Sequence, residues 1–160
     1  MRPISICVLG CLLLSARAGS PQAAATEPHV VLAPEEIKFG PAPPVFPAGM
    51  TVALLSGDPA KPGPFTVRSK MPAGYRIPPH WHPVAEYLTI VSGRIAFGMG
   101  DTLDAAAMKT LPAGGYAVMP PEMRHYLEAK TDAVLEVHGV GPFVITYVNA
   151  ADDPRTPPAK

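Results

Sequence analysis

The segment Gly74–Gly93, GYRIPPHWHPVAEYLTIVSG, carries the strongest signal in the chain for both fold and site. It places His80, His82 and Glu86 within seven residues, between a glycine at each end. Two residues apart on an extended strand, the two imidazoles point to the same face. The prolines around them stiffen the backbone, which lowers the entropy lost on binding. Two imidazoles and a carboxylate this close together predict a metal site.

A second Gly/Pro-rich turn, GGYAVMPPEMRH, ends at His125. This histidine starts a short segment, His125–Ala129, that has the length of a strand. A strand that begins there would bring a third imidazole to the first segment. We therefore expect a mononuclear metal centre held in a small β-barrel.

The composition favours an all-β domain, because 22 prolines and 14 glycines in 160 residues oppose long helices and fit frequent turns. About nine short strands at this spacing predict a sandwich or barrel. Glu86–Val91 and Arg94–Met99 flank Ser92-Gly93 and are expected to pair as a hairpin, and Asp101–Thr110 is expected to form one helical turn. The other predicted strands are Thr51–Ser56, Phe65–Lys70, Tyr116–Met119, His125–Ala129, Ala133–Val137 and Phe143–Val148.

The N-terminus predicts a secretory signal peptide over residues 1–18. Arg2 supplies the positive charge, and Ile4–Leu14 is an apolar run too short to span a bilayer. Ala16 and Ala18 offer the small residues at which a signal peptidase cleaves. The alternative is a buried N-terminal strand or helix. A signal peptide implies that the mature protein is periplasmic or secreted.

Both cysteines, Cys7 and Cys11, lie inside this segment, so the mature chain would have no disulfide. The sequence that ends at Cys11 loosely resembles a lipoprotein cleavage box, and anchoring by a lipid at this residue is the alternative localisation. The apolar run continues past the cysteine through Leu14, which argues against that alternative.

The rest of the chain divides at its prolines. We expect residues 19–49 to be a flexible Pro-rich leader that runs over the barrel, with Ile37, Phe39, Val45 and Phe46 as apolar anchors. Residues 50–149 are expected to form the β-barrel domain, and residues 150–160 a disordered tail. The formal net charge is zero and basic residues are not clustered, so nucleic acid is excluded as a partner and a small molecule is expected.

The first segment resembles the cupin superfamily, whose first motif is G(x5)HxH(x3,4)E(x6)G. The chain matches this motif without a mismatch. The matching residues are Gly74, His80, His82, Glu86 and Gly93.

The second cupin motif, G(x5)PxG(x2)H(x3)N, is matched in part by Gly114, Pro120 and His125. Glu122 replaces the motif's second glycine and Ala129 its asparagine. The glutamate costs turn freedom if its φ is positive. It is expected on a surface turn, and the alternative is a second carboxylate near the pocket mouth.

The resemblance implies a small, exported, single-domain cupin with an antiparallel jelly-roll barrel. It also implies that one divalent transition metal is bound by His80, His82, Glu86 and His125. Three imidazoles and one carboxylate suit Fe(II), Mn(II), Ni(II), Cu(II) or Zn(II), and leave positions open for water or substrate.

Two functions are compatible with such a site. The first is an enzyme, by resemblance an O2-dependent dioxygenase or another metal-assisted enzyme, acting on a diketone, phenol or hydroxy acid. The second is a non-catalytic extracytoplasmic module that binds metal or a small ligand. A homodimer is the default assembly that the family implies. The sequence does not identify the catalytic residues.

For other polar and aromatic residues, position along the strand predicts which face of the sheet the side chain occupies. His138 shares the parity of Glu136 and would either orient a ligand imidazole or lie on the surface or at the rim. Trp81 and Tyr87 have the opposite parity to the ligands and are expected outside the barrel, and His29 is expected to be uninvolved. Candidates for binding an anionic substrate, none at a diagnostic spacing, are Arg68, Arg76, Arg94 and Arg124.

Overall fold

The protein is described by a computed structural model over residues 29–156. The predicted signal peptide with Cys7 and Cys11, and the end of the tail at 157–160, lie outside the described residues. Two short 3₁₀ helices, Pro34–Glu36 and Ala150–Asp152, flank the strands. Neither these nor any other described segment forms a helix with the length and apolar character needed to cross a membrane.

The described chain is built from strands and turns, as the composition predicts. In chain order the strands are β1 (Gly40–Pro41), β2 (Thr51–Ser56), β3 (Gly63–Met71), β4 (Arg76–Trp81), β5 (Glu86–Ser92), β6 (Arg94–Met99), β7 (Lys109–Pro112), β8 (Tyr116–Met119), β9 (His125–Ala129), β10 (Ala133–Gly141) and β11 (Thr146–Tyr147).

The strands form two antiparallel sheets. A six-stranded sheet has the order β1-β2-β3-β10-β5-β8, and a five-stranded sheet has the order β11-β4-β9-β6-β7. The predicted all-β jelly roll is confirmed. Within residues 29–156 the two sheets stay separate rather than closing into one hydrogen-bonded barrel.

The predicted hairpin at Ser92-Gly93 is wrong. β5 pairs with β8 and β10 in one sheet, whereas β6 pairs with β7 and β9 in the other. Gly93 is therefore a corner between the sheets, with a φ of 76°. A Cβ atom there would lie 2.2 Å from the Asp132 carbonyl oxygen, so the corner requires glycine.

The predicted helical turn over residues 101–110 is also wrong. Asp104 organises a loop in which its carbonyl accepts from the Ala107 amide at 3.2 Å and its Oδ1 accepts from the Ala106 amide at 2.9 Å. Residues 109 and 110 already belong to β7. A run this short cannot offset the cost of nucleating a helix, and the aspartate side chain competes for the backbone.

The core lies between the two sheets. β5 alternates as its parity predicts, with Glu86, Leu88 and Ile90 buried and Tyr87 on the outer face. Ile95 on the facing sheet is fully buried and belongs to the same apolar cluster. Glu86 stands at the start of β5, so the strand runs from the candidate site towards the packed core.

Candidate metal centre

Two neighbouring strands of the five-stranded sheet bring the histidines together. β4 and β9 pair antiparallel, with His80 directly opposite His125, and His82 follows the end of β4. Glu86 is the first residue of β5 in the facing sheet. We call these four residues the HHEH cluster. All four are buried, so the centre lies between the layers and not on the surface.

The side chains of the HHEH cluster meet at one point. The ligand atoms of His80, His82 and His125 lie within 4.8 Å of one another. Oε2 of Glu86 is 3.1 Å from Nε2 of His125 and 3.7 Å from Nε2 of His82. Adjacent ligands of one transition metal ion lie about 3 Å apart when each bond is about 2.1 Å long. The structure therefore brings together all four residues that the sequence singled out.

Backbone carbonyls fix which nitrogen of each histidine faces inward. Because a carbonyl can only accept, each Nδ1 donates its proton and each Nε2 presents a lone pair. The Nδ1 partners are the carbonyls of Pro78 for His80 at 2.7 Å, Val144 for His82 at 2.8 Å and Met123 for His125 at 2.9 Å. This is the arrangement in which imidazoles bind a metal.

The inward nitrogens lack other partners. Nε2 of His82 and Nε2 of His125 are buried without a hydrogen-bond partner among the described residues. The Glu86 carboxylate is near them but is not aligned for a hydrogen bond. A buried polar atom without a partner costs about 1–3 kcal/mol, and a metal ion would satisfy both nitrogens together.

Burial keeps His80 and His82 in the form that binds metal. It lowers the pKa of His80 well below its ordinary value, and the neighbouring imidazoles of His125 and His82 lower it further. Burial also lowers the pKa of His82, although the Glu86 carboxylate opposes this shift. A neutral imidazole is the ligand form, so the residues present fit a divalent transition metal.

A cavity of about 600 Å³ opens from the HHEH cluster, and His80, His82 and Glu86 are part of its wall. The rest of the wall is mostly aliphatic and aromatic, with Phe143 stacked on the His82 ring at a centroid distance of 4.0 Å. Apart from the cluster, the polar or charged lining residues are Asp58, Ser69 and Arg155. Sites for small molecules have this volume and this apolar character.

The structure also decides between the alternatives for two polar residues. His138 lies on the outer face of β10, with 40% of its side chain exposed and Nδ1 3.2 Å from Oγ1 of Thr66. It is therefore a surface residue and not a partner of the HHEH cluster. Glu122 is exposed on a turn with a φ of 63°, and its amide donates to the His82 carbonyl at 2.8 Å.

The aromatic residues that flank the ligands lie outside the cavity, as parity predicts. Tyr87 is 40% exposed and Trp81 is partly buried. His29 is exposed.

Sequence reasoning missed the arginine that lines the cavity. This residue is Arg155, which lies in the Pro-rich tail, where no motif or spacing distinguishes it. Three of the four candidates are in ion pairs elsewhere. These pairs are Arg68 with Glu136 at 2.6 Å, Arg76 with Glu128 at 3.0 Å and Arg124 with Asp101 at 3.2 Å.

Comparison with known proteins agrees with this fold. A family model described as "Cupin domain" matches residues 67–141. Comparison with curated proteins finds no significant match.

Solved structures resemble the chain at low sequence identity, so they show the fold alone. A candidate acetylacetone dioxygenase from Methylibium petroleiphilum PM1 is 21% identical, with a TM-score of 0.64 over 84% of this chain and 91% of that chain. The polyketide cyclase RemF from Streptomyces resistomycificus is 13% identical, with a TM-score of 0.60 over 78% and 88%. An RmlC-like cupin from Shewanella frigidimarina is 15% identical, with a TM-score of 0.56 over 74% and 96%.

Proposed function

The chain belongs to the cupin superfamily, and we propose that it is a metal-dependent enzyme that acts on a small oxygenated molecule. In this proposal the HHEH cluster holds one divalent transition metal: Fe(II), Mn(II), Ni(II), Cu(II) or Zn(II). The reaction is an O2-dependent dioxygenation or another metal-assisted conversion. Fold neighbours include both a candidate dioxygenase and a cyclase, so the fold alone does not choose the reaction.

The observation that carries the proposal is the pair of buried Nε2 atoms without partners among the described residues, on His82 in the wall of an apolar cavity and on the adjacent His125. Four protein ligands do not fill an octahedron, so open positions would face the space in which a substrate fits. When bound, the metal would supply Lewis-acid chemistry or, as Fe(II), the activation of O2.

The chain's own residues do the rest of the work in this scheme. The backbone carbonyls hold each imidazole ring in place, so the ligands need no reorganisation when metal or substrate binds. Apolar side chains such as Val67 and Leu135 bind the carbon body of the substrate and displace water from the centre. Phe143 packs against the His82 ring and keeps that ligand in place.

The direct test is O2 uptake by the purified protein, with its metal identified by elemental analysis, against a panel of diketones and catechols. We expect turnover that His82→Ala abolishes, because one ligand and its Nε2 are lost. His138→Ala is the matched control, since this histidine lies on the outer face and should leave turnover unchanged. Equal turnover in the two variants would contradict the proposal.

The ligand assignment has its own test. The double variant His80→Ala/His125→Ala should lose stoichiometric metal, because two of the four ligands are removed. Metal content is measured by elemental analysis after dialysis, with circular dichroism as the check on folding. A folded double variant that still carries one metal per chain would show that these residues are not the ligands.

A second function, a non-catalytic extracytoplasmic module that binds metal or a small ligand, is favoured by one feature. Among the described lining residues, few polar groups other than the cluster are available to move a proton: Asp58, Ser69 and Arg155. Stable metal binding without turnover under any loaded metal would support this function.

For both functions we propose export through cleavage of residues 1–18, with lipid anchoring at Cys11 as the alternative. Cell fractionation and mass spectrometry of the mature N-terminus test this proposal.

A further inference from the structure

Residues 42–50, which we call the strap, join β1 to β2 and form one wall of the cavity. The Ala42 amide donates to the Met50 carbonyl at 3.2 Å and closes the ends of the strap into a loop. Inside the loop, Phe46 donates to the Pro43 carbonyl at 3.0 Å. The residues of the strap that line the cavity are Pro43, Val45, Phe46 and Met50.

Two buried tyrosines attach the strap to the strands. The Tyr147 hydroxyl donates to the Val45 carbonyl at 2.8 Å, and the Tyr75 hydroxyl donates to the Pro47 carbonyl at 2.8 Å. Tyr147 is on β11, directly opposite His80 on β4, and the two rings are 6.1 Å apart. The strap is therefore held by the strand pair that also carries a residue of the HHEH cluster.

The strap differs from the other walls in how it is held. Val67, Leu135 and Ile77 line the cavity from strands, whose side chains are fixed by the ladders on both sides. Val45 and Phe46 line it from a loop and are only partly buried. Loop side chains vary in size at less cost to the fold than strand side chains, so the strap is where the cavity can set the size of what it binds.

The charges of the lining favour an uncharged ligand. Among the described lining residues the cation is Arg155, and Asp153 already binds its guanidinium at 2.6 Å. The Glu86 carboxylate lies in the same wall, and Asp58 is already paired with Lys61 at 2.8 Å. A small dianion would find no free cationic side chain among these residues, so only the metal of the HHEH cluster would offset the hydration that it loses.

We propose that the cavity takes an uncharged oxygenated molecule with an apolar body, that Val45 and Phe46 determine the largest body it accepts, and that Tyr147 is a positioning residue. The inference rests on the proposed function only in placing the oxygens of the ligand at the HHEH cluster. The Tyr147 hydroxyl acts through the Val45 carbonyl, and keeps the strap at one distance from the cluster.

The test measures binding and not turnover. Acetylacetone, benzoylacetone and dibenzoylmethane, three uncharged 1,3-diketones of increasing size, are titrated into metal-free and zinc-loaded protein by calorimetry, with oxalate as the small dianion. The zinc-loaded wild type should bind benzoylacetone about tenfold or more tightly than oxalate. If it binds no diketone, or prefers oxalate, the substrate class is wrong.

The variants test the strap itself. Phe46→Ala should improve the binding of dibenzoylmethane relative to acetylacetone by about tenfold, and Val45→Trp should shift the same ratio in the opposite direction. If Phe46→Ala folds poorly, the milder change Phe46→Leu replaces it in the test. It should shift the ratio in the same direction by a smaller amount. An unchanged ratio in folded Phe46→Leu and Val45→Trp would overturn the role of the strap.

Tyr147→Phe keeps the ring and removes the hydrogen bond to the strap. It should therefore weaken the selection of ligands by size while the thermal stability of the protein changes little. Tyr126→Phe is the matched control, because the Tyr126 hydroxyl also donates to a loop carbonyl, that of Asp104 at 3.3 Å, on the opposite face of the same five-stranded sheet. Equal size selection in the two tyrosine variants would overturn the positioning role. If size selection depends on the strap but no O2 is consumed, this inference is supported and the proposed dioxygenase activity is contradicted. If O2 is consumed but the strap variants do not change size selection, the dioxygenase activity is supported and this inference is contradicted.

Discussion

At the scale of single residues, Glu122 shows how the chain departs from its motif without losing the site. Its φ of 63° lies in the left-handed region, where a residue with a Cβ is strained. Its amide donates to the His82 carbonyl at 2.8 Å, so the strained turn is held against a residue of the HHEH cluster. The turn keeps the backbone geometry that glycine would adopt without strain, and the conformational strain of Glu122 lowers the stability of the fold.

We expect Glu122→Gly to raise the free energy of unfolding by about 1 kcal/mol, since glycine adopts the left-handed conformation without strain. The gain is limited because glycine also has more freedom in the unfolded chain. Urea unfolding at neutral pH measures it. The control is Glu122→Ala, which retains a Cβ and therefore the strain. If the alanine variant were stabilised as much as the glycine variant, the loss of the charge and not the strain would be the cause.

At the scale of strands, the local pattern predicted elements well and partners poorly. The bounds of β2, β6, β8 and β9 agree with the prediction, because alternation and Gly/Pro punctuation are local properties. The assignment of β5 and β6 to different sheets is not local. A glycine between two strands is compatible with a hairpin or with a corner, and packing against β10 decides between them.

The same division applies to the site. The spacing of the first motif located three residues of the HHEH cluster, and His125 in the weaker second motif completed it. The sequence predicted Val45 and Phe46 as anchors on the barrel, but not that the strap and Arg155 line the cavity, because that role depends on long-range contacts. The Tyr147 hydroxyl, for example, reaches the Val45 carbonyl across 102 residues of sequence.

The corner between the sheets yields a prediction for two glycines of one motif. Gly93 and Gly74 have similar φ values of 76° and 81°, so an alanine at either position costs about 1 kcal/mol in conformation. At Gly93 the new Cβ would also lie 2.2 Å from the Asp132 carbonyl oxygen and 2.7 Å from the Ala133 Cα, whereas at Gly74 it would meet open space.

Gly93→Ala should therefore lower the free energy of unfolding by roughly 3 kcal/mol or more, and Gly74→Ala by about 1 kcal/mol. Chemical denaturation of both variants measures the difference. Equal losses would mean that the corner can move away from β10 and that only the backbone conformation matters.

At the scale of the whole molecule, packing and binding occupy different parts of the space between the sheets. Leu88, Ile90 and Ile95 fill one part and are essentially inaccessible to solvent. The cavity, with His80, His82 and Glu86 in its wall, occupies another part and is lined by side chains such as Val67 and Leu54. An unfilled cavity contributes fewer contacts than a packed core, so most of the stability should come from the packed part.

This separation predicts very different losses of stability for two truncations of similar size. Ile95→Ala should lower the free energy of unfolding by about 2–5 kcal/mol, because the residue is fully buried and its loss leaves a void. Leu54→Ala should change it by less than about 1 kcal/mol, since Leu54 is 56% exposed at the cavity wall. Urea unfolding gives the stabilities, and elemental analysis of the folded proteins should show the same metal content in both. If Ile95→Ala lost metal while still folded, the packed core would be supporting the HHEH cluster directly, and stability and binding would not be separable in this fold.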